Sequence, residues 1–265
     1  MKTAASGTIL VWISLVMVSL FFTGLSYAEI DLETAVGIWL FDDDDDVAED
    51  MSGKGNDGTL KGNPKWVKGV FGEALELDGI DDYVDCGFAD SLAMTDEITV
   101  MSWFRTDKKM STSADRQAVV GKHYLEYEVG IYPNGAVHTY TNDGTGAGYD
   151  EGINTAVPDA TWVLGQWYHL AWTLDGTHET VYVDGIMIGE FDKPHAGTLA
   201  GEHSLEIGRR QGGSLDFIGA VDEVVVLNVA LGETDIQSVI TQGFGATAVS
   251  PSGKLATTWA AVKGQ

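Results

Sequence analysis

Short apolar runs separated by turn signals constrain this chain more than any other feature. Pro133-Asn134-Gly135, Asp175-Gly176 and Asp184-Gly185 each stand between two such runs. That is the pattern of a tight hairpin, whose turn needs backbone angles that Asn, Asp and Gly adopt at low cost. Gln166–Leu174 alternates, with Tyr168, Leu170, Trp172 and Leu174 on one side and Trp167, His169 and Ala171 on the other. Glu97–Arg105 is apolar on both alternating faces, as a strand packed on both sides would be. Further strands are expected at Val36–Asp42, Glu73–Leu77, Tyr83–Cys86, Gln117–Lys122, Leu125–Tyr132 and Ala136–Thr141. Thr180–Val183, Ile186–Phe191, Ser204–Ile207 and Phe217–Leu227 complete the set. One helix is predicted, Glu233–Gln242, with Ile236, Val239 and Ile240 on one side and acid in its first turn. Many strands and one helix predict an all-β fold of two antiparallel sheets packed face to face.

The N-terminus has a different character. Lys2 precedes the apolar run Ile9–Phe22, and Ser26-Tyr27-Ala28 places small residues where a signal peptidase reads them. Residues 1–28 are therefore expected to be a signal peptide cut after Ala28, which makes the mature protein secreted or extracytoplasmic. The alternative is a retained anchor, but the run is shorter than the ~20 residues that span a bilayer and lacks a basic stop. A lipid-linked form would need a Cys at the cut, where Glu29 stands. No later stretch is long and apolar enough for a second span, so no membrane span is expected after cleavage. The organisation predicted is residues 1–28 as signal peptide, 29–35 as a lead-in, 36–244 as one domain and 245–265 as a flexible tail rich in Ala, Thr, Ser and Gly.

Charge excludes some partners. Asp plus Glu number 40 against 15 Lys plus Arg, a net charge of −25. Such a surface repels nucleic acid and anionic membrane, and attracts cations, of which Ca²⁺ is the hard one available outside the cell. Cys86 is the only cysteine, so no internal disulfide forms and a large apolar core must hold the fold. Cys86 itself reads as a small buried residue in a strand.

Four segments resemble a known family. Asp50-Met51-Ser52-Gly53-Lys54-Gly55-Asn56-Asp57-Gly58-Thr59-Leu60 is similar to its D-x-S-G-x-G-N-x-G-T loop. Ala74 through Val84 (ALELDGIDDYV) is similar to its A-L-x-F-D-G-x-D-D-Y-V strand pair, with Leu77 in place of Phe. Gln166–Ala171 followed by Tyr182-Val183-Asp184-Gly185, and Val221–Val224 through Asn228–Leu231, complete the family's order. The chain resembles the LamG-like jelly-roll domain of the concanavalin A-like lectin/glucanase superfamily. The resemblance implies a two-sheet antiparallel jelly-roll sandwich with one short C-terminal helix, used for binding sugars or protein surfaces. It does not by itself imply an activity. Tyr83 and Trp167 are expected to fill the space between the sheets.

In similar jelly rolls the first and last strands are neighbours and a structural Ca²⁺ often links them. Asp42, Asp50, Asn56 and Asp222 are the candidate ligands, since Ca²⁺ takes hard oxygens from Asp, Asn and backbone carbonyls. The alternative is that Asp50 and Asn56 only brace turns and that Asp42–Asp46 is a solvated acidic run. For a ligand site, Tyr124, Tyr140, Tyr149 and Trp162 cluster in the loop-rich region Lys122–Gly165, and sugars stack on such rings. The alternative is that Trp162 tucks under a sheet edge. Glu29-Ile30-Asp31-Leu32-Glu33 matches a glucanase-type acid pattern by letter. It precedes the first strand, and a frayed chain end does not hold two carboxylates at fixed separation. Leu125-Glu126-Tyr127-Glu128 pairs two acids on one strand face without a third. His169 reads as a core residue, whereas His123, His138, His178 and His195 read as exposed. The sequence thus predicts a secreted, monomeric, non-catalytic binding module, Ca²⁺-stabilised, that recognises a glycan or an extracellular protein. The alternatives are a glycan-active enzyme, hydrolase or lyase, and a structural surface-display protein.

Overall fold

A computed structural model describes residues 30–42, 46–94, 97–142, 149–151, 155–156, 162–192, 201–212 and 215–249. Residues 1–28, expected to be a signal peptide, and His195, Glu29 and residues 250–265 lie outside that set. In chain order the strands are β1 (Ile30–Asp31), β2 (Ala35–Trp39), β3 (Val47–Ala48), β4 (Gly58–Lys61), β5 (Lys65–Lys68), β6 (Glu73–Asp78), β7 (Tyr83–Asp85) and β8 (Ile98–Thr106). Next come β9 (Gln117–Gly121), β10 (Tyr127–Ile131), β11 (Ala136–Asn142), β12 (Tyr149–Glu151), β13 (Thr155–Ala156), β14 (Trp167–Leu174), β15 (His178–Val183) and β16 (Ile186–Asp192). The chain closes with β17 (Glu206–Ile207), β18 (Ile218–Leu227), α1 (Glu233–Gln242), α2 (Phe244–Thr247) and β19 (Ala248–Val249).

Two antiparallel sheets make the jelly-roll sandwich. One runs β12-β11-β10-β9-β17-β7-β4-β3, with β13 also on β11; the other runs β16-β15-β14-β8-β18-β6-β5, with β2 also on β18. Between them lies the main core, which includes Trp39, Leu75, Phe104, Tyr127, Val129, Leu170, Trp172 and Val221. Cys86 is buried there as a free thiol, and burial raises its pKa well above the usual thiol value. The apolar second face of β8 is explained by a smaller cluster. Met101, Ala171, Tyr182, Val225 and Leu227 meet Ile236 and Val239 of α1 and Phe244 of α2 on the outside of the eight-stranded sheet. That helix has the bounds the 3.6-residue spacing gave.

The strand β18 organises this sheet. It pairs with β8 on one edge and divides its other edge, taking β6 at Ile218–Val221 and β2 at Val224–Leu227. The switch falls at a bulge between Asp222 and Val225, where Glu223 has φ 49°. The expected adjacency of first and last strands is therefore present.

Several expectations change. Tyr83 and Trp167 do not fill the inter-sheet space: both are half-buried, beneath Arg209 at 4.2 Å and Arg105 at 5.6 Å respectively. Alternation explains it, since Tyr168, the neighbour of Trp167, takes the inward position. His138 is fully buried rather than exposed. The segment beginning at Ile30 is held rather than frayed, because β1 pairs in parallel with β19. Asp31 then caps a 3₁₀ turn by accepting from the Glu33 backbone N–H at 3.0 Å. The first residues of the expected tail, 245–249, belong to α2 and β19.

Candidate functional site

The site lies on the face of the nine-stranded sheet that points away from the core. Tyr127, Val129 and Ile131 of β10 point inward, so Glu128 points outward. Antiparallel register places Tyr140 opposite Glu128 and His138 opposite Gly130. Gly130 is required there, because a Cβ would overlap the His138 ring.

Glu128 is the hub. Its Oε2 accepts from Arg210 Nε at 2.6 Å and its Oε1 from Arg210 Nη2 at 2.7 Å, a bidentate pair. Oε1 also lies 3.0 Å from His138 Nε2. Burial alone would raise the Glu128 pKa, but the hydrogen bonds from His138 and Arg210 bring it below the ordinary value. Glu128 is therefore an ionised acceptor, with both oxygens engaged. Arg210 lies 5.3 Å from the Tyr124 ring centre and 5.0 Å from that of Tyr140. Burial would lower its pKa, but the hydrogen bond and charge of Glu128 raise it instead.

A second cluster borders the first. Lys122, fully buried, pairs with Glu126 at 2.8 Å. Glu126 Oε1 also meets His203 Nδ1 and accepts from the His203 backbone N–H at 3.1 Å. His203 stacks on His123 at 4.2 Å between centroids, and His123 lies 4.0 Å from Tyr124. Burial lowers the His123 pKa, and the nearby His203 and Arg210 lower it further. Glu126 precedes β10 in a turn and is locked into a different ion pair from Glu128. Each acid is thus held by its own cation.

Between these groups opens a pocket of about 220 Å³ lined by Arg116, Tyr124, Tyr140 and Arg210. Two of the four expected aromatic residues thus converge. Trp162 does not: it is buried against Phe104 at 5.1 Å and donates from Nε1 to the Tyr132 carbonyl at 2.9 Å. Tyr149 lies in β12, which pairs with β11 through Asn142. Sequence reasoning missed Arg116 and Arg210, took Glu128 only as one of two acids on a strand face, and read His138 as exposed. For Glu128 and His138 the signal was a polar residue at an alternate position of a strand whose other face is apolar; Arg116 and Arg210 lie outside the strands and carried no such signal. A larger cleft of about 660 Å³ runs past Lys54, Asp90, Ser91, Met94, Glu97 and Asn228, and no aromatic ring lines it.

The four candidate calcium ligands separate into two pairs. Asp50 Oδ1 accepts from the backbone N–H of Ile38 and Ser52, and Oδ2 from Ser52 Oγ and the Asn56 backbone N–H. Asn56 Nδ2 donates to the Val36 carbonyl and Ser91 Oγ. These two residues brace the Gly-rich loop. Asp42 and Asp222 instead flank one turn, Gly69–Gly72, closed by Gly69 N–H donating to the Gly72 carbonyl at 3.1 Å. Asp222 Oδ2 accepts from the backbone N–H of Val70 and Phe71 at 2.8 and 3.1 Å. Gly72 has φ 73°, and a Cβ on it would overlap Asp42 Oδ1. Among the described residues, Asp78, Asp81 and Asp82 also bring oxygens within 4.8 Å of one another. Asp78 and Asp82 accept from the backbone N–H groups of Ile80 and Asn63, so they organise the loops around them. Among the described residues no helix is long and apolar enough to cross a membrane.

The fold is that of a jelly-roll domain of the concanavalin A-like class. The Laminin_G_3 family model, described as Concanavalin A-like lectin/glucanases superfamily, matches residues 78–237, and the chain belongs to that family. Among solved structures, the chain is similar to domain 4 of AbnA, a GH43 extracellular arabinanase from Geobacillus stearothermophilus, in complex with arabinotriose. Identity is 19%, coverage 80% of this chain and 99% of that one, and TM-score 0.62. It is also similar to the binding domain of Paraclostridial Mosquitocidal Protein 1, at 15% identity, 79% and 52% coverage and TM-score 0.63. The binding domain of botulinum neurotoxin DC, in complex with rat synaptotagmin II, gives 11%, 81%, 53% and 0.63. The chain thus spans about half of each toxin domain. At these identities the likeness is one of fold. No curated protein sequence matches the chain.

Proposed function

We propose that this chain is a non-catalytic, secreted recognition module that seats a sugar ring in the Tyr124–Tyr140 pocket. One observation carries the reading: two tyrosines and two arginines converge on a pocket of about 220 Å³ on an outward sheet face. That is smaller than the roughly 300–1,000 Å³ of drug-sized sites, and suits one ring of a glycan rather than a long segment. Tyrosines supply a C–H stacking surface and arginines orient hydroxyls. The similar domain of AbnA, solved with arabinotriose, supports the carbohydrate choice over a protein surface. The separate engagement of Glu126 and Glu128 supports the non-catalytic choice. A glycan array followed by calorimetry tests it: binding is expected, and Tyr124→Ala should weaken it at least tenfold. Sugar release abolished by Glu126→Gln and Glu128→Gln would overturn the non-catalytic part.

Calcium enters the proposal as a staple rather than a reagent. Asp42, Asp222 and carbonyls of the Gly69–Gly72 turn would supply hard oxygens of the kind it takes, linking the segment that follows β2 to the bulge of β18. Export belongs to the same reading, and secreted material should begin at Glu29.

A further inference from the structure

We infer that the ring seated in this pocket carries a carboxylate, so that the ligand is a uronic acid or a similarly carboxylated sugar. This rests on the pocket being a glycan site, and goes further by naming the chemistry that site selects. The chain has 15 Lys plus Arg against 40 acidic residues, yet two of the four pocket-lining residues are arginines. They differ in what they face. Arg210 is neutralised in place by the bidentate Glu128 pair. Its guanidinium is a wall, fixed by that carboxylate and by the Tyr140 hydroxyl.

Among the described residues Arg116 has no such partner. Its guanidinium lies 5.8 Å from the Tyr132 ring centre, and no carboxylate among the described residues forms an ion pair with it. Its Nε is buried without a hydrogen bond. Among the described residues the pocket therefore holds one uncompensated positive charge, and Glu128 cannot supply the counter-charge because Arg210 and His138 already engage both its oxygens. The His123 side adds none, since burial and the neighbouring cations favour its neutral form. A guanidinium presents a planar fork of donors, which one planar carboxylate matches with two parallel hydrogen bonds. A neutral sugar would leave that fork facing hydroxyls alone. The −25 net charge opposes the approach of a long polyanion but is screened beyond about 10 Å at 0.1 M salt, so a short or terminal acidic ring is the form that fits.

Calorimetry on the full chain tests this with matched probes. Trisaccharides of galacturonate, glucuronate and mannuronate are each compared with their neutral methyl esters and with a sulfated trisaccharide. The expected result is that at least one acid binds ten times or more tightly than its ester. Arg116→Gln should bring that acid down to the affinity wild type shows for the ester, at an unchanged melting temperature. Arg116→Lys, which keeps the charge but loses the fork, should recover only part of the difference. Should Arg116→Gln fail to fold, the wild-type comparison of acid with ester still decides the matter. Ester and acid binding equally would overturn the carboxylate and leave the glycan site standing. Preference for the sulfated probe would overturn it in favour of another anion. Binding of none of these probes, with none on the glycan array, would overturn the glycan reading itself.

Discussion

His169 should make this protein acid-sensitive by a calculable amount. The side chain sits on β14, 1% exposed, with its ring 5.2 Å edge-on from Trp103. Its backbone N–H donates to Asp184 Oδ1 at 2.8 Å, while ring Nδ1 is buried without a partner. Burial lowers its pKa from 6.5 to about 3, because the interior disfavours the charged ring. Between those values the unfolded chain binds a proton that the folded chain refuses. The contribution is fully present above pH 6.5 and is lost as pH falls. At about 1.36 kcal/mol per unit, moving from pH 7 to pH 5 costs about 2 kcal/mol. For a domain of this size that is a fall in Tm of roughly 4–8 °C. Glu206 acts oppositely: burial raises its pKa to about 7, so the folded state holds a proton the unfolded state has lost, and acidification favours folding. The total slope therefore mixes both. Denaturant unfolding of wild type and His169→Phe at both pH values isolates the histidine, since Glu206 is common to the two proteins. Wild type should lose about 2 kcal/mol more than the variant. Responses parallel to within about 0.5 kcal/mol would refute the reasoning.

Other outcomes follow from the same structure. Phe104, wholly buried among Trp162, Tyr168 and Phe217, should cost about 3–5 kcal/mol on truncation to Ala, read by denaturant midpoint. Glu128→Gln leaves Arg210 without its buried counter-charge and should cost about 3–5 kcal/mol. The lowered Glu128 pKa also means that its stabilisation is present above the ordinary carboxylate range and lost as pH falls through the depressed value, which acid titration followed by circular dichroism reads. Added Ca²⁺ should raise Tm relative to chelator in wild type but not in Asp222→Asn; identical melting in wild type would remove calcium from the proposal. Gly72→Ala strains a φ of 73° and crowds Asp42, so it should lower Tm and remove the same calcium increment.

The sandwich was legible because turns and alternation are local. Asn134-Gly135 and Asp184-Gly185 do join β10 to β11 and β15 to β16, and Tyr168, Leu170, Trp172 and Leu174 all point inward. β4 and β5 were missed because Gly58–Lys61 and Lys65–Lys68 carry Lys and Gly and read as loop. Their strand state comes from pairing with β7 and β6, a tertiary effect. The pocket was half legible. Tyr124 and Tyr140 stood out as aromatics near loops. Arg210 did not, because it is 82 residues from the Glu128 that fixes it. His138 looked like surface beside a turn, yet lies buried because Glu128 on the neighbouring strand meets it.

The divided edge of β18 has a consequence for the order in which the molecule assembles. β18 is the last strand of its sheet to be made and also the one at its centre. Until residue 227 has been synthesised, β5–β6 and β8–β14–β15–β16 are separate fragments of this sheet, and among the described strands β2 has none to pair with. Trp39 then finds Val224, 185 positions later in the chain. Such distant pairings close slowly, because the entropy of a long loop must be lost before any contact compensates it. The 217 residues before β18 therefore lack the central pairing of this sheet until that strand arrives, a schedule that the proposed export would favour, since a chain must stay threadable to be translocated.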